Sequence, residues 1–169
     1  ACVMGTRTIT PADFADDGAP EIVITGDLTH IGLEREFEAA AGWLAALAPP
    51  SRVALVPGNH DATVPASLDY QARYWADYLA GDDGPGYPTL RVRGDIAFIG
   101  LDSAVATAPG LASGRVDGAQ LARLPALLAA CRERGLFRVV YLHHCPLAGV
   151  DSRRKHLVNH AAVAGTLAA

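Results

Sequence analysis

The chain has 169 residues, is 50% apolar and 19% charged, and carries a formal net charge of −4. That length closes one core and leaves no room for a second full-sized domain, so residues 1–169 are expected to form a single domain. The acidic balance excludes binding along an extended phosphate backbone, which needs a basic face, but leaves a small nucleotide open as a substrate.

Three cysteines, Cys2, Cys131 and Cys145, are an odd number without a Cys-x-x-Cys pair. They suggest neither a disulfide framework nor a zinc knuckle, and fit a reducing, cytoplasmic compartment. No stretch reaches the roughly 20 apolar residues of a membrane span.

The first regular element is the β-branched apolar block 21–26, which reads as a strand covered on both faces and runs straight into Asp27. Phe37, Ala40, Ala41, Leu44 and Leu47 then recur at helical spacing until Pro49-Pro50 stops the pattern. A second apolar block, 53–56, leads into Pro57-Gly58-Asn59-His60-Asp61, so strand, helix and strand follow in the order of a parallel βαβ unit. Leu68, Ala72, Trp75 and Leu79 make another helical stripe, closed by a glycine-rich turn.

Residues 89–93 and 96–101 flank Gly94-Asp95 as a hairpin, whose second strand delivers Asp102-Ser103. That turn accounts for the Arg93-Gly94-Asp95 tripeptide. Asp117 can cap a helix bearing Leu121, Leu124, Leu128 and Cys131, and 137–142 reads as a buried strand ending at His143-His144. The tail from Ser152 reads as helical through Leu157 and Val163. Trp43 and Trp75 are assigned to the core.

Three strands thus end in groups able to bind metal or move protons: Asp27, Asn59-His60-Asp61 and His143-His144. The carboxyl ends of strands line the ligand crevice of α/β sheets, and Gly26 and Gly58 permit close backbone approach there. A carboxylate, an amide oxygen and an imidazole suit manganese, iron or zinc rather than a thiolate-seeking ion.

Gly26-Asp27, Gly58-Asn59-His60-Asp61 and His143-His144-Cys145-Pro146 resemble three of the five signature blocks of the calcineurin-like metallophosphoesterases, and the wording around them is most similar to the bacterial cyclic-nucleotide phosphodiesterase branch. The resemblance implies a layered α-β-β-α fold and a metal-dependent hydrolase of small phosphoric esters, with two divalent ions and a bridging hydroxide. By resemblance, Asp27 bridges the ions while Asn59 and His143 bind the second. His60 stabilises the transition state or protonates the leaving oxygen, and Asp61 orients the His60 ring. His143, as the first of the pair, is the implied ligand, and His144 a supporting residue.

The family's opening Asp-x-His has no counterpart, because no histidine precedes His30 and Asp13, Asp16 and Asp17 cannot replace it. Nor is there a closing Gly-His-x-His. The expectation is therefore a fold incomplete at both ends, cut from a longer product, with exposed sheet edges and a weakened metal site. The rival reading is a catalytically impaired binding or scaffolding domain.

Other residues take plainer roles. Cys145 fills space, and His30 leads into the first helix. His156 and His160, four apart on one helix face, are surface residues without a third ligand. Arg153, Arg154 and Lys155 form a solvated face that could steer phosphate. A serine hydrolase built on Ser103 and His143 is set aside because no Gly-x-Ser-x-Gly elbow is present.

Overall fold

The computed structural model describes residues 22–108, 110–152 and 154–168. Cys2, Asp13, Asp16, Asp17 and Arg153 lie outside the described residues.

The first half is a parallel βαβ unit. Strand β1 (Ile22–Ile24) pairs in parallel with β2 (Val53–Leu55), and helix α1 (Glu34–Leu47) connects them. Side chains alternate along both strands. Ile22, Ile24, Val53 and Leu55 join Phe37, Leu44 and Trp75 in one cluster, whereas Val23, Ala54 and Val56 turn to a second. The α1 stripe is placed as its spacing predicts, with Phe37, Ala40, Leu44 and Leu47 buried.

Trp43 departs from expectation: it is 41% exposed and lies off that stripe. The region 67–79 also differs. It forms α2 (Ser67–Tyr74) and α3 (Ala76–Leu79), broken at Trp75, whose φ and ψ are −123° and 4°. The buried positions are Ser67, Gln71, Trp75 and Tyr78, while Leu68 is 69% exposed. Polar groups hold that face because they satisfy the neighbouring turn: Gln71 Nε2 donates to the Asp61 carbonyl and Ser67 Oγ accepts from Val64 N.

The second half contains the antiparallel hairpin β3 (Thr89–Arg93) and β4 (Ile96–Gly100), with Gly94 at φ 58°, and then α4 (Gly118–Glu133) and β5 (Phe137–Tyr141). Arg93 is paired with Asp82 beside that hairpin. Strand β5 lies parallel to β4. Asp117 caps α4 by accepting from Gln120 N at 2.8 Å. Ala97, Ile99, Leu124, Leu128 and Cys131 pack together with α5 (His160–Ala168) through Val163. A third cluster of Ala54, Val56, Tyr141 and Phe98 joins the two sheets, giving an α/β fold with helices packed on both.

Two further expectations are corrected. Among the described residues β5 pairs with β4 alone, so it is an edge strand rather than a buried one, and Phe137 is 69% exposed. The last helix begins at His160, not Ser152, because the stretch before it makes a ladder instead: Ala112 N donates to Arg154 O, Gly114 N to His156 O, and Val158 N to Gly114 O. His156 therefore shares no helix face with His160, and both are half-buried. No helix of the described residues is long and apolar enough to cross a membrane.

Candidate metal centre

The groups singled out in the sequence meet where β1, β2 and β5 end. The close approach of the β1 and β2 ends is built from glycine. Gly26 has φ 90°, and a Cβ there would collide with the Gly58 backbone, while a Cβ on Gly58 would collide with Asp27. Asp27 itself sits at φ 60°, a left-handed conformation unusual for a residue with a side chain.

Asp61 holds this conformation in place. It is fully buried, and its Oδ2 accepts from Asp27 N at 2.8 Å and Gly58 N at 2.9 Å. Its Oδ1 accepts from Thr29 N at 2.9 Å and Thr29 Oγ1 at 3.0 Å. Asp61 thus fastens the two loops together, and among the described residues it makes no hydrogen bond to the His60 imidazole. The carbonyl of His30 orients that ring, with His60 Nδ1 2.5 Å from it. A carbonyl only accepts, so Nδ1 carries the proton, and among the described residues Nε2 has no hydrogen-bond partner in a side chain that lines the cleft. The His30 and His60 rings stack at 5.7 Å, so His30 forms part of the cleft wall as well as preceding α1.

Asp27 divides its oxygens. Oδ1 accepts from His60 N at 3.0 Å, and Oδ2 lies 3.5 Å from His143 Nε2. The same nitrogen is 3.1 Å from Asn59 Oδ1. His143 Nδ1 is 2.6 Å from the Thr25 carbonyl, which fixes the proton on Nδ1 and turns the Nε2 lone pair toward two oxygens. Three lone pairs facing one another need a proton or a cation between them.

The spacing suits a cation. Two ligands each about 2.1 Å from a divalent ion are about 3.0 Å apart in octahedral and about 3.4 Å apart in tetrahedral geometry. Asp27, Asn59 and His143 therefore fit a metal, with the amide oxygen as an essential third donor. Among the described residues no three His, Cys, Asp or Glu side chains alone form such a group.

His144 points elsewhere. It is buried, with Nδ1 2.9 Å from Ser103 Oγ and Nε2 3.0 Å from the Ala112 carbonyl. Nε2 thus donates, Nδ1 accepts from the serine, and Ser103 Oγ accepts in turn from His144 N. Burial, followed by the neighbouring His143, lowers the pKa of His144, in keeping with a neutral ring. Ser103 is also fully buried and pairs with His144 rather than His143, so it is not a nucleophile facing the cleft. Beside it, burial pushes the Asp102 carboxyl up to about 6. Cys145 is a half-buried free thiol.

Thr29, Gln71 and Ser103 were not singled out as framework for the site. A threonine two residues past Asp27 and a serine after Asp102 carry little signal in a sequence, because their partners, Asp61 and His144, are more than 30 residues away along the chain.

No match was found among curated proteins. The family model of the calcineurin-like phosphoesterases matches residues 11–158, most of the chain and all of the groups described above. The chain therefore belongs to the calcineurin-like phosphoesterases, a family of metal-dependent phosphoric ester hydrolases.

Proposed function

We propose that the chain is one metallophosphoesterase domain that hydrolyses phosphodiesters, in a reducing cytoplasmic compartment, at a dinuclear divalent-metal centre of manganese, iron or zinc. The observation that carries this reading is the meeting of the His143 Nε2, Asn59 Oδ1 and Asp27 Oδ2 lone pairs at 3.1 and 3.5 Å. The similarity of the motif wording to the cyclic-nucleotide phosphodiesterase branch favours a diester, with a nucleotide as the candidate substrate.

In this reading Asp27, Asn59 and His143 would hold metal, with Asp27 the residue that both ions would have in common. When bound, such ions act as Lewis acids on phosphoryl oxygens and make water acidic enough to attack at neutral pH. His60 would present Nε2 to the leaving oxygen and would donate a proton from there only as the imidazolium, because the His30 carbonyl already takes the Nδ1–H. Asp61 acts at one remove, by holding the Asp27 and Gly58 backbones.

A second reading, a binding domain without turnover, is favoured by the small donor set among the described residues. Calorimetric titration with manganese, beside hydrolysis of bis(4-nitrophenyl) phosphate, separates the two. Two ions per chain with turnover supports the dinuclear hydrolase, and one ion without turnover supports the binding domain. No binding refutes both. Asp27→Ala is expected to weaken manganese binding by at least about tenfold, and unchanged affinity would remove Asp27 from the ligand set.

A further inference from the structure

Two cavities meet at the metal centre. A niche of about 180 Å³ contains Asp27, Asn59, His60 and His143. A wider cavity of about 630 Å³ opens from it, sharing Asn59, His60, Ala112 and Lys155 as the common wall. The niche has the size of a reacting phosphoryl group, and the wider space lies in the range of small-molecule sites.

The wider cavity is positively charged although the chain carries −4 overall. Arg154 and Lys155 line it, and no Asp or Glu does among the described residues. Both side chains are exposed and make no ion pair or side-chain hydrogen bond among those residues. Their backbone is nevertheless held firmly. Arg154 O accepts from Ala112 N at 2.7 Å, Lys155 N donates to Ser152 O at 2.9 Å, and Gly114 bridges to Leu157 just beyond. Asp27 and Asp151 line the niche, where Lys155 also reaches, but not the wider cavity, so two cations on a fastened strap face that cavity without an acidic wall and are arranged to meet an anion from solution. Ala108 and Leu111 add apolar wall, and Thr63 also lines the cavity.

We infer that this cavity binds the organic substituent of a phosphodiester that carries a second anionic group, a carboxylate or a further phosphate, held by Arg154 and Lys155. The inference rests on the phosphodiesterase reading and narrows it: the preferred substrate has one negative charge at the scissile phosphorus and another on the substituent.

The test separates the two readings by omitting metal. The chain, stripped with EDTA, is titrated by calorimetry with diphenyl phosphate and with 4-carboxyphenyl phenyl phosphate, which differ by one carboxylate. The carboxylate probe is expected to bind about tenfold more tightly, with the preference shrinking at high salt. In the Arg154→Met, Lys155→Met double variant the preference is expected to fall below about twofold, because these exposed substitutions remove the charges and leave the strap's backbone bonds. Equal affinities on the wild-type chain, no binding of either probe, or a preference retained by the double variant would overturn the subsite. Turnover is read separately on the manganese-loaded wild-type chain. No hydrolysis beside an intact preference sinks the phosphodiesterase reading alone, while hydrolysis without a preference sinks only the subsite.

Discussion

Asp61→Asn gives the sharpest test of how the candidate metal centre is held. In the wild-type chain four donors converge on the carboxylate: Asp27 N and Gly58 N on one oxygen, Thr29 N and Thr29 Oγ1 on the other. An asparagine keeps the shape but replaces one acceptor oxygen by two N–H donors. Its less costly orientation turns the amide nitrogen toward Thr29. The Thr29 hydroxyl can still donate to the His60 carbonyl at 2.9 Å and accept from the new amide, so only the Thr29 N–H is stranded. Loss of a hydrogen bond to a carboxylate, together with a buried N–H left unpaired, amounts to about 2–4 kcal/mol. Guanidinium unfolding followed by circular dichroism measures it directly. Asp61→Ala strands three backbone N–H groups and should cost more, a large share of the roughly 5–15 kcal/mol typical of a folded domain. Had Asp61 served to orient His60, the asparagine variant would keep wild-type stability and change only the pH profile of turnover. A loss below about 0.5 kcal/mol would refute the fastening role assigned here.

Asp102 sets a pH dependence of opposite sign to the usual carboxylate. Burial raises its pKa from 3.8 to about 6, so its contribution to stability is complete below 3.8 and is lost as pH rises through about 6. That shift is worth about 3 kcal/mol at most. Asp102→Asn retains an oxygen for the Ala104 N–H and should be about 1–3 kcal/mol more stable than wild type at pH 8, the difference narrowing toward pH 4. Thermal unfolding across that range checks it, and parallel curves would refute it. Ser103→Ala removes the partner of two His144 groups and should cost about 1–3 kcal/mol in urea unfolding. An unchanged midpoint would show that His144 does not depend on the serine.

What could be read in the sequence follows from how local each signal is. The strand ends delivering Asp27, Asn59 and His143 were legible because apolar β-branched runs stop abruptly at polar residues, and Phe37, Leu44 and Leu47 repeat at one helical period. A carboxylate next to a histidine in sequence suggests a pair, but the Asp61 oxygens accept from Asp27, Gly58 and Thr29. The chain turns through the 3₁₀ segment His60–Ala62, and the His60 ring bonds the His30 carbonyl rather than Asp61. The buried face of α2 was misplaced for a related reason. Apolar periodicity favoured Leu68 and Ala72, but the helix packs against a turn rich in backbone groups, and Ser67 and Gln71 satisfy them. The start of the last helix is displaced because residues 152–159 hold no proline or glycine to stop a helical pattern, whereas the backbone of 154–158 is committed to Ala112 and Gly114.

The strain at Asp27 and the burial of Asp61 are parts of one device. A left-handed backbone at a non-glycine residue persists only where its surroundings over-determine it. Here Asp61 captures the Asp27 N–H directly, and His60 N captures Asp27 Oδ1. Gly26 and Gly58 let the two strand ends close until both bonds can form. With one oxygen and the backbone N–H thus committed, Asp27 has only Oδ2 left to offer, and that oxygen faces His143. The free donor at the lip of the sheet therefore follows from bonds made inside it. Each glycine clears space for the other block, and the Asp27 oxygen proposed to bind metal is what remains to face His143 once the Asp61 network is satisfied.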